Sequence, residues 1–458
     1  MRIITKLLTG ILLVTLLAVL TSSCKKDDGV VTPDSNTNWT KTFGGSVSDV
    51  ATAMLPSPGG YIVFGHTTSF GAGNDDAFAM QINDNGDAAW VKSYGGSGFD
   101  VITSAAQTID GNFIMAGTST SFNASQIDVF AIKIDASGNL IWAKSYKLPG
   151  MDYAVSVKQK DDGSYVIGGS SDSYGAGYSD AMWLNIDASG NLVSAKVYGG
   201  VWNDVATSMV YFNGGGFNIA GYTFSAGATC DIMLLSLSPS GDLNWAKVYG
   251  GEGIDQANDV AITDDGIGIY GFIISGYTQS FGLASGDAYF IKTDINGYHQ
   301  WSKTIGGSTG MDQSLRVIQT EDGGYISTGF SNSFGTAANG IFNIRLFGDG
   351  AYKWSAVYGG ASNEQGNSIF ELGDNGLVIA GIKQTSANIN DITVSRLKED
   401  GTACGNYNSV SPSGGDPVTS VIETNNITAL SVTTFETVNA NIIVNTASFN
   451  SEVNCSNP

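Results

Sequence analysis

The chain is poor in the residues that most often carry chemistry. Its 458 residues include two histidines, His66 and His299, at unrelated positions, and four cysteines without a Cys-x-x-Cys pair. No P-loop or EF-hand motif is present, and the Gly-x-Ser-x-Gly string from Gly306 to Gly310 belongs to the Gly-Gly segment of a repeat copy and is not interpreted as a nucleophile elbow. These absences leave no basis for redox, zinc or nucleophilic hydrolase chemistry. We therefore expect a protein without catalytic activity.

Positive charge is scarce. The sequence has 21 Lys and Arg against 42 Asp and Glu, which gives a formal net charge of −21, and charged residues make up 14% in all. A surface of this sign repels nucleic acid and anionic lipid headgroups, so neither is an expected partner. Such a surface mostly serves solubility, and cation binding is the alternative.

Glycine, in contrast, is abundant, and part of it belongs to an internal repeat. The 61 glycines include those of the pattern Trp-x-Lys-x-aromatic-Gly-Gly. Copies of this pattern begin at Trp39, Trp90, Trp142, Ser194 (degenerate), Trp245, Trp301 and Trp354, at intervals of 51, 52, 52, 51, 56 and 53 residues. A period near fifty that carries strand-like segments is typical of β-propellers with four-stranded blades.

One copy illustrates the predicted blade. Alternating large and polar residues after Trp90 predict a half-buried strand, and Gly95-Gly96 predicts a sharp turn after it. Two further strands meet at Asp110-Gly111, a tight hairpin signal, and Asp128 begins the fourth. Because one blade cannot bury both of its faces, neighbouring blades must stack. The tryptophans would fill the space between outer strands, and Ser194 predicts looser packing in its blade.

The phase of the repeat predicts how the ring closes. After Trp354 the chain supplies three strands, ending near Leu397, but no further tryptophan strand, whereas Trp39 to Phe43 forms an unpaired strand at the start. We expect this first strand to complete the last sheet. The prediction is an all-β fold with a seven-bladed β-propeller over residues 38–404. Residues 405–458 would form a small β-rich appendage or a strand-forming tail, with disorder as the alternative.

The amino end has the pattern of a processing signal over residues 1–23. Arg2 and Lys6 precede an apolar run that is too short to span a membrane comfortably, and small residues then precede Cys24. This arrangement resembles a bacterial lipobox, which implies lipidation of Cys24; a plain secretory signal is the alternative. Residues 24–37 would form a flexible tether. The following Lys25-Lys26-Asp27-Asp28 resembles the export tag of surface lipoproteins, which implies an outer-membrane protein exposed at the cell surface, with the membrane as partner through Cys24. A periplasmic location is the alternative.

The remaining cysteines fit an oxidising compartment. Cys404 and Cys455 flank the segment after the last repeat, and a disulfide between them would tie down the tail. Cys230 is interpreted as a free, partly buried thiol.

A first set of acidic residues repeats shortly after the Gly-Gly pair. Because these residues precede the strand that should line the central channel, they could form a ring that binds a cation such as Ca²⁺. The other interpretation, which we favour, is that each carboxylate caps backbone amides, since scaffolds repeat with the blades and binding sites rarely do. The members are Asp49, Asp100, Asp152, Asp204, Asp255, Asp312 and Glu364.

Two further repeated sets belong to the same end of the blades. A second acidic set begins a later strand and is interpreted as turn residues: Asp76, Asp128, Asp180, Asp231, Asp287 and Asp391. Aromatic residues in the loops before it could contact sugars or peptides, although packing between blades is the favoured role. These are Phe70, Phe122, Tyr174, Phe281 and Phe334.

The run from Asp135 to Tyr146, Asp-Ala-Ser-Gly-Asn-Leu-Ile-Trp-Ala-Lys-Ser-Tyr, resembles the bacterial surface β-propeller repeats called SBBP-type. The resemblance covers residues 38–404 and implies shape and location but no activity. It is also distantly similar to the tryptophan-docking repeat of quinoprotein dehydrogenases, but it lacks one residue before the glycine and the chain has no vicinal cysteines. We therefore expect no cofactor and a binding or scaffold role for proteins or glycans on the loop face. A carboxylate-dependent polysaccharide-degrading enzyme and a part of a secretion or adhesion assembly are the alternatives.

Overall fold

A computed structural model describes residues 38–404, except 123–125, 148, 176, 213–214, 228, 265, 267, 283–284 and 387–388. Beyond residue 404 it describes 407–410 and six further short stretches, 413–415, 420–423, 428–432, 436–439, 443–447 and 450–456. The predicted signal peptide, Cys24 and tether lie outside these residues. The elements in the described part are all β-strands. Within it, no helix has the length and apolar character needed to cross a membrane.

The strands form seven antiparallel sheets, which we number as blades 1 to 7. Blade 1 contains β2 (Asp49–Ser57), β3 (Gly60–Thr67), β4 (Asp76–Ile82) and β5 (Ala88–Gly95). Blade 2 contains β6 (Asp100–Gln107), β7 (Phe113–Ser119), β8 (Asp128–Ile134) and β9 (Leu140–Lys147). Blade 3 contains β10 (Asp152–Gln159), β11 (Tyr165–Ser171), β12 (Asp180–Ile186) and β13 (Leu192–Gly199). Blade 4 contains β14 (Asp204–Phe212), β15 (Gly216–Thr223), β16 (Asp231–Leu237) and β17 (Leu243–Gly250). Blade 5 contains β18 (Asp255–Asp264), β19 (Ile269–Thr278), β20 (Asp287–Thr293) and β21 (His299–Gly306). Blade 6 contains β22 (Asp312–Gln319), β23 (Tyr325–Ser331), β24 (Gly340–Leu346) and β25 (Tyr352–Gly359). Blade 7 combines β26 (Glu364–Glu371), β27 (Leu377–Ser386) and β28 (Ile389–Leu397) with β1 (Trp39–Gly44).

The ring closes through the first strand, as predicted. β1 pairs antiparallel with β28, with Trp39 opposite Arg396 and Phe43 opposite Ile392. Side chains add to this closure, because Asn367 Nδ2 in blade 7 donates to the Ala51 carbonyl of blade 1 at 2.7 Å. The fold is therefore a seven-bladed β-propeller in which the two ends of the repeat array share one sheet.

The first strand of each blade lies innermost. Its side chains reach the backbone of the next inner strand: Thr52 Oγ1 donates to Ile102 O at 2.8 Å, and Thr103 Oγ1 donates to Ala154 O at 2.7 Å. These inner strands surround the central channel. We call the end of the blades with the Gly-Gly loops the upper face, and the end with the hairpins, such as that at Gly111, the lower face.

The Trp-x-Lys-x-Tyr motif fastens each blade to the next. The Trp90 ring lies beneath Gly138 in the following blade, where a Cβ atom would come within 2.8 Å of the ring, and Gly138 has a φ of +75°. Lys92 Nζ donates to Ser137 O at 2.8 Å and Tyr94 Oη donates to Gly138 O at 2.7 Å. A turn glycine is required here because its φ is positive and the indole fills the Cβ position. The repeat is thus an inter-blade contact copied around the ring.

The structure corrects the prediction that the blade containing Ser194 packs more loosely than the others. Ser194 lacks the indole, yet the same space is filled by Trp183 from β12, whose ring lies 2.8 Å from the Cβ position of Gly241. Trp183 is fully buried, and Tyr198 Oη donates to Gly241 O at 2.5 Å as in the other copies. An adjacent strand therefore supplies the missing ring, and the packing is not lost.

The chain after residue 404 adds a fifth strand to every blade. Its strands are β29 (Tyr407–Ser409), β30 (Ser413–Gly415), β31 (Ser420–Glu423), β32 (Thr428–Val432), β33 (Glu436–Asn439), β34 (Ile443–Ala447) and β35 (Asn450–Ser456). They pair in turn with the outer strands of blades 6, 5, 4, 3, 2, 1 and 7. The segment is thus the strand-forming tail of the two predicted forms, and it runs around the ring in reverse order and covers each outer edge. We call it the C-terminal belt.

The belt ends beside the first strand. In the pairing of β35 with β1, Cys455 lies opposite Thr40. Cys404 is disulfide-bonded. The side chain of residue 455 lies outside those described, so the pairing of Cys404 with Cys455 stays a prediction.

Candidate functional site

The first acidic set lies at the upper face, where each member begins an inner strand. Asp100 is fully buried and accepts hydrogen bonds from Gly96 N at 2.8 Å, from Ser119 Oγ at 2.5 Å and from Ser121 Oγ at 2.6 Å. Asp204 repeats this arrangement with Gly200 N at 2.6 Å and Ser225 Oγ at 2.8 Å. The carboxylate thereby joins the inter-blade turn to the end of the second strand. This geometry favours the capping interpretation over a ring of channel-facing ligands.

Two members depart from this arrangement. Lys147-Leu148 replaces the Gly-Gly pair before Asp152 in the sequence, and Ser173 Oγ donates to Asp152 at 3.2 Å. Burial raises the pKa of Asp152 to about 7, against the lowering effect of hydrogen bonds from Ser171 and Ser173. Glu364 in blade 7 has Lys383 Nζ at 3.6 Å. Burial raises the pKa of Glu364, and Lys383 partly offsets this effect.

The second acidic set meets the first across the inter-blade turn. A Cβ atom on Gly95 would lie 1.8 Å from Asp76 Oδ1 and 2.8 Å from Asp100 Oδ2, so two carboxylates converge on this glycine. Burial raises the pKa of Asp76, with a smaller contribution from Asp100. Burial also raises the pKa of Asp231 to about 6, with Asp255 as the second cause. Burial at these turns therefore favours the protonated form of the Asp76 and Asp231 carboxyl groups.

The repeated loop aromatics pack inward. Phe122 stacks on Phe130 with ring centroids 5.4 Å apart, and Phe334 lies 5.4 Å from Phe342. The whole set contacts the hydrophobic clusters of the blades: Phe70, Phe122, Tyr174, Phe281 and Phe334. Their contacts favour the packing role over ligand contact.

Three aromatic residues that the sequence analysis missed are exposed on the upper face between blades 3 and 4. Tyr178 is 73% exposed, Trp202 is 54% exposed and Phe224 is 39% exposed. We call this group the aromatic patch. Phe224 also forms an edge-on pair with Tyr222, with centroids 6.2 Å apart. Exposed aromatic clusters of this kind are unusual on a protein surface that has no partner.

Backbone contacts hold the three loops of the patch together. Trp202 N donates to Ser225 Oγ at 3.1 Å, and Phe224 N donates to Asn203 O at 2.9 Å. The loop before Tyr178 is equally close, since a Cβ atom on Gly177 would lie 2.2 Å from Trp202 O. Contacts between the loops therefore hold the backbone of the aromatic patch in place.

Each member of the aromatic patch breaks the repeat. Two residues before the first acid, the other copies have Val47, Gly98, Gly150, Gly253, Gly310 and Ser362 where blade 4 has Trp202. The equivalents of Phe224 and of Tyr178 are likewise not aromatic in any other blade. Aligning the copies by their acids reveals these exceptions, and this is the signal in the sequence that would have identified the patch.

Neither a protein-family model nor a curated protein sequence matches this chain. Among solved structures, Sqt1 from Chaetomium thermophilum is similar at 10% identity with a TM-score of 0.45, over 75% of this chain and 82% of that chain. A glucose dehydrogenase is similar at 8% identity with a TM-score of 0.37, over 78% of this chain and 98% of that chain. At these scores neither likeness bears on activity, and the fold rests on the strand topology described above. In the part of the chain that the structure describes, no group of three or more His, Cys, Asp or Glu side chains is placed to hold a metal ion.

Proposed function

We propose that this chain is a non-catalytic binding module that holds a protein partner on its upper face, with the aromatic patch at the centre of the contact. The observation that carries the proposal is the coincidence of three exposed aromatic residues, all exceptions to the repeat, at one junction between blades. Binding residues need to differ from the scaffold that presents them, whereas scaffold residues repeat.

The chemistry of the patch favours a protein partner over a glycan. Trp and Tyr are the residues most enriched at the energetic centres of protein interfaces, where large rigid rings fill pockets at low entropic cost. The three loops of the patch, 172–179, 199–204 and 223–230, contain no Lys or Arg. A partner surface with apolar side chains and a neutral or basic rim would therefore complement it.

The test is capture from intact cells by the purified protein and two variants. Trp202→Gly introduces the residue that four other copies carry, so the fold should tolerate it. Tyr298→Ala is the matched control, since Tyr298 is 55% exposed but lies in a turn on the lower face. We expect one protein to bind the native chain and Tyr298→Ala equally and to bind Trp202→Gly at least about tenfold more weakly. Equal capture by all three proteins, or saturable binding to a glycan array that Trp202→Gly abolishes, would replace the proposal.

We further propose that the module is attached to the outer membrane through lipid on Cys24 and is exposed at the cell surface. A lipid-linked amino end and a flexible tether of residues 24–37 would leave both faces of the propeller accessible. Cys24→Ser should move the protein from the membrane fraction to the soluble fraction. Protease added to intact cells should degrade the native chain, and its survival would place it on the periplasmic side.

A further inference from the structure

A histidine and an aspartate break the repeat at neighbouring positions of blade 1, near its upper face. His66 is the last residue but one of β3, and Asp75 immediately precedes β4. No other blade has a histidine at the first of these positions or an acidic residue at the second. The equivalent of His66 in blade 2 is Thr118, and the equivalent of Asp75 in blade 7 is Asn390. The scaffold therefore does not need this pair, since six blades are built without it.

The sheet places both side chains on the face that blade 2 covers. His66 lies opposite Ala77 in the pairing of β3 with β4, so Asp75 is its diagonal neighbour on the same face. Ala77 belongs to a hydrophobic cluster that includes residues of blade 2, which fixes the direction of this face. The backbone of Asp75 also contacts blade 2, because Asp100 N donates to Asp75 O at 2.7 Å. The pair therefore lies in the crevice between blades 1 and 2.

The two side chains are close but do not bond to each other. His66 Nε2 lies 4.0 Å from Asp75 Oδ2, whereas a hydrogen bond requires about 2.7–3.2 Å. Their side chains are only 20% and 15% exposed. His66 Nδ1 and Asp75 Oδ1 are buried and have no hydrogen-bond partner in the described part of the chain. Buried polar atoms without partners are uncommon in native proteins, and a bound ion is one physical reason for them.

The electrostatic surroundings of the pair favour a cation. The segments that form the crevice contain no Lys or Arg: residues 44–50, 65–77 and 95–102. Burial lowers the pKa of His66 to about 4, so its ring is neutral at pH 7 and has a nitrogen lone pair to offer. The pKa of Asp75 is raised to about 7, first by burial and then by the charges of Asp76, Asp49 and Asp100. The crevice thus combines a neutral imidazole with several carboxyl groups.

We propose that His66 and Asp75 bind one divalent transition-metal ion, represented by Zn²⁺, in the crevice between blades 1 and 2. Imidazole nitrogen and carboxylate oxygen together are donors that Zn²⁺ accepts, whereas Ca²⁺ and Mg²⁺ prefer oxygen alone. A nitrogen and an oxygen on one tetrahedral Zn²⁺ ion, with bonds of about 2.1 Å, lie about 3.4 Å apart. Small side-chain movements would therefore bring the pair into range.

The site has two protein ligands, and water molecules would complete the coordination. It is smaller than the groups of three or more metal-binding side chains, none of which occurs in the part of the chain that the structure describes. With so few ligands the ion should exchange readily and be lost on dialysis.

The test is titration of the dialysed full chain with Zn²⁺, followed by calorimetry and by NMR of the two histidine rings. Excess Mg²⁺ in the buffer masks sites made of carboxylates alone. We expect one equivalent to bind the native chain and to shift the ring signals of His66 but not those of His299. His66→Thr and Asp75→Asn, which introduce the residues of blades 2 and 7, should each weaken binding at least about tenfold.

His299→Gln is the matched control, because His299 is the only other histidine and its Nε2 lies 3.1 Å from Ser302 Oγ. It should leave zinc binding unchanged, as should Trp202→Gly, since this site is independent of the aromatic patch. Unfolding temperatures measured without zinc would verify that every variant is folded. Absence of saturable binding to the native chain, equal affinity in His66→Thr, or binding that leaves the ring signals of His66 unchanged would overturn the proposal.

Discussion

The Trp183 ring lies beneath Gly241, at the one junction where the motif tryptophan is replaced by Ser194. The compensation crosses from β13 to its neighbour β12, so the contact is conserved in space although not in sequence position. The packing between blades requires an indole under the turn glycine, and either of two neighbouring strands can supply that ring.

Removal of this ring should therefore be costly. We expect Trp183→Ala to lower the free energy of unfolding by about 3–5 kcal/mol, because it leaves a cavity beneath Gly241. Adding Ser194→Trp to that variant should restore part of the loss, since it returns the ring to the position used by the other blades. Denaturant unfolding measures both effects, with Trp202→Ala as a solvent-exposed control that should change stability by no more than about 0.5 kcal/mol. No rescue by Ser194→Trp would contradict the compensation.

The architecture was predictable because it rests on period and phase. The spacing of Trp90 and its equivalents predicted the blades, and the unpaired strand at Trp39 predicted the closure through β1. Trp183 escaped prediction because its role is set by a cross-strand neighbour, which a one-dimensional alignment does not show. The aromatic patch escaped prediction for a different reason. The repeat marks the residues that recur in each blade, whereas Tyr178, Trp202 and Phe224 are exceptions to it.

The buried carboxylates of the upper face predict a dependence of stability on pH. The pKa of Asp152 is raised to about 7 by burial, above its value of 3.8 in the unfolded chain, so the folded state binds more protons between these values. Stability should therefore rise as the pH falls from about 7 toward about 4, by at most about 1.4 kcal/mol per pH unit for one such group. Asp152→Asn should flatten this slope in unfolding experiments across the range. A native chain that loses stability steadily below pH 7 would contradict the assignment.

Substitutions in the first acidic set, together with chelator, distinguish a capping role of these carboxylates from cation binding. If capping is the role, Asp100→Asn and Asp204→Asn should each cost about 1–3 kcal/mol, because buried N–H and O–H donors lose a charged acceptor. Chelator should then leave the unfolding temperature of the native chain unchanged, and added Ca²⁺ should not raise it. A chelator effect as large as that of Asp100→Asn would instead support a cation in the ring.

The reactivity of the cysteines tests the predicted disulfide between Cys404 and the C-terminal belt. Cys230 is buried, and burial raises its pKa to about 11, so a thiol reagent should leave it unmodified in the native chain and label it once the chain is unfolded. Peptide mapping without reductant should find Cys404 joined to Cys455. Labelling of Cys404 in the native, unreduced protein would contradict its oxidised state.

The C-terminal belt predicts that the propeller depends on its tail for solubility. A chain ending at residue 404, with Cys404→Ser to avoid a free thiol, would expose the outer edges of all seven blades. Unpaired strand edges recruit other chains, so light scattering should show association that the full chain does not show, together with a lower unfolding temperature. The four inner strands of each blade and the closure through β1 are retained, so strand content measured by circular dichroism should fall only slightly. A monomeric truncated chain with an unchanged unfolding temperature would mean that the belt contributes neither protection nor stability.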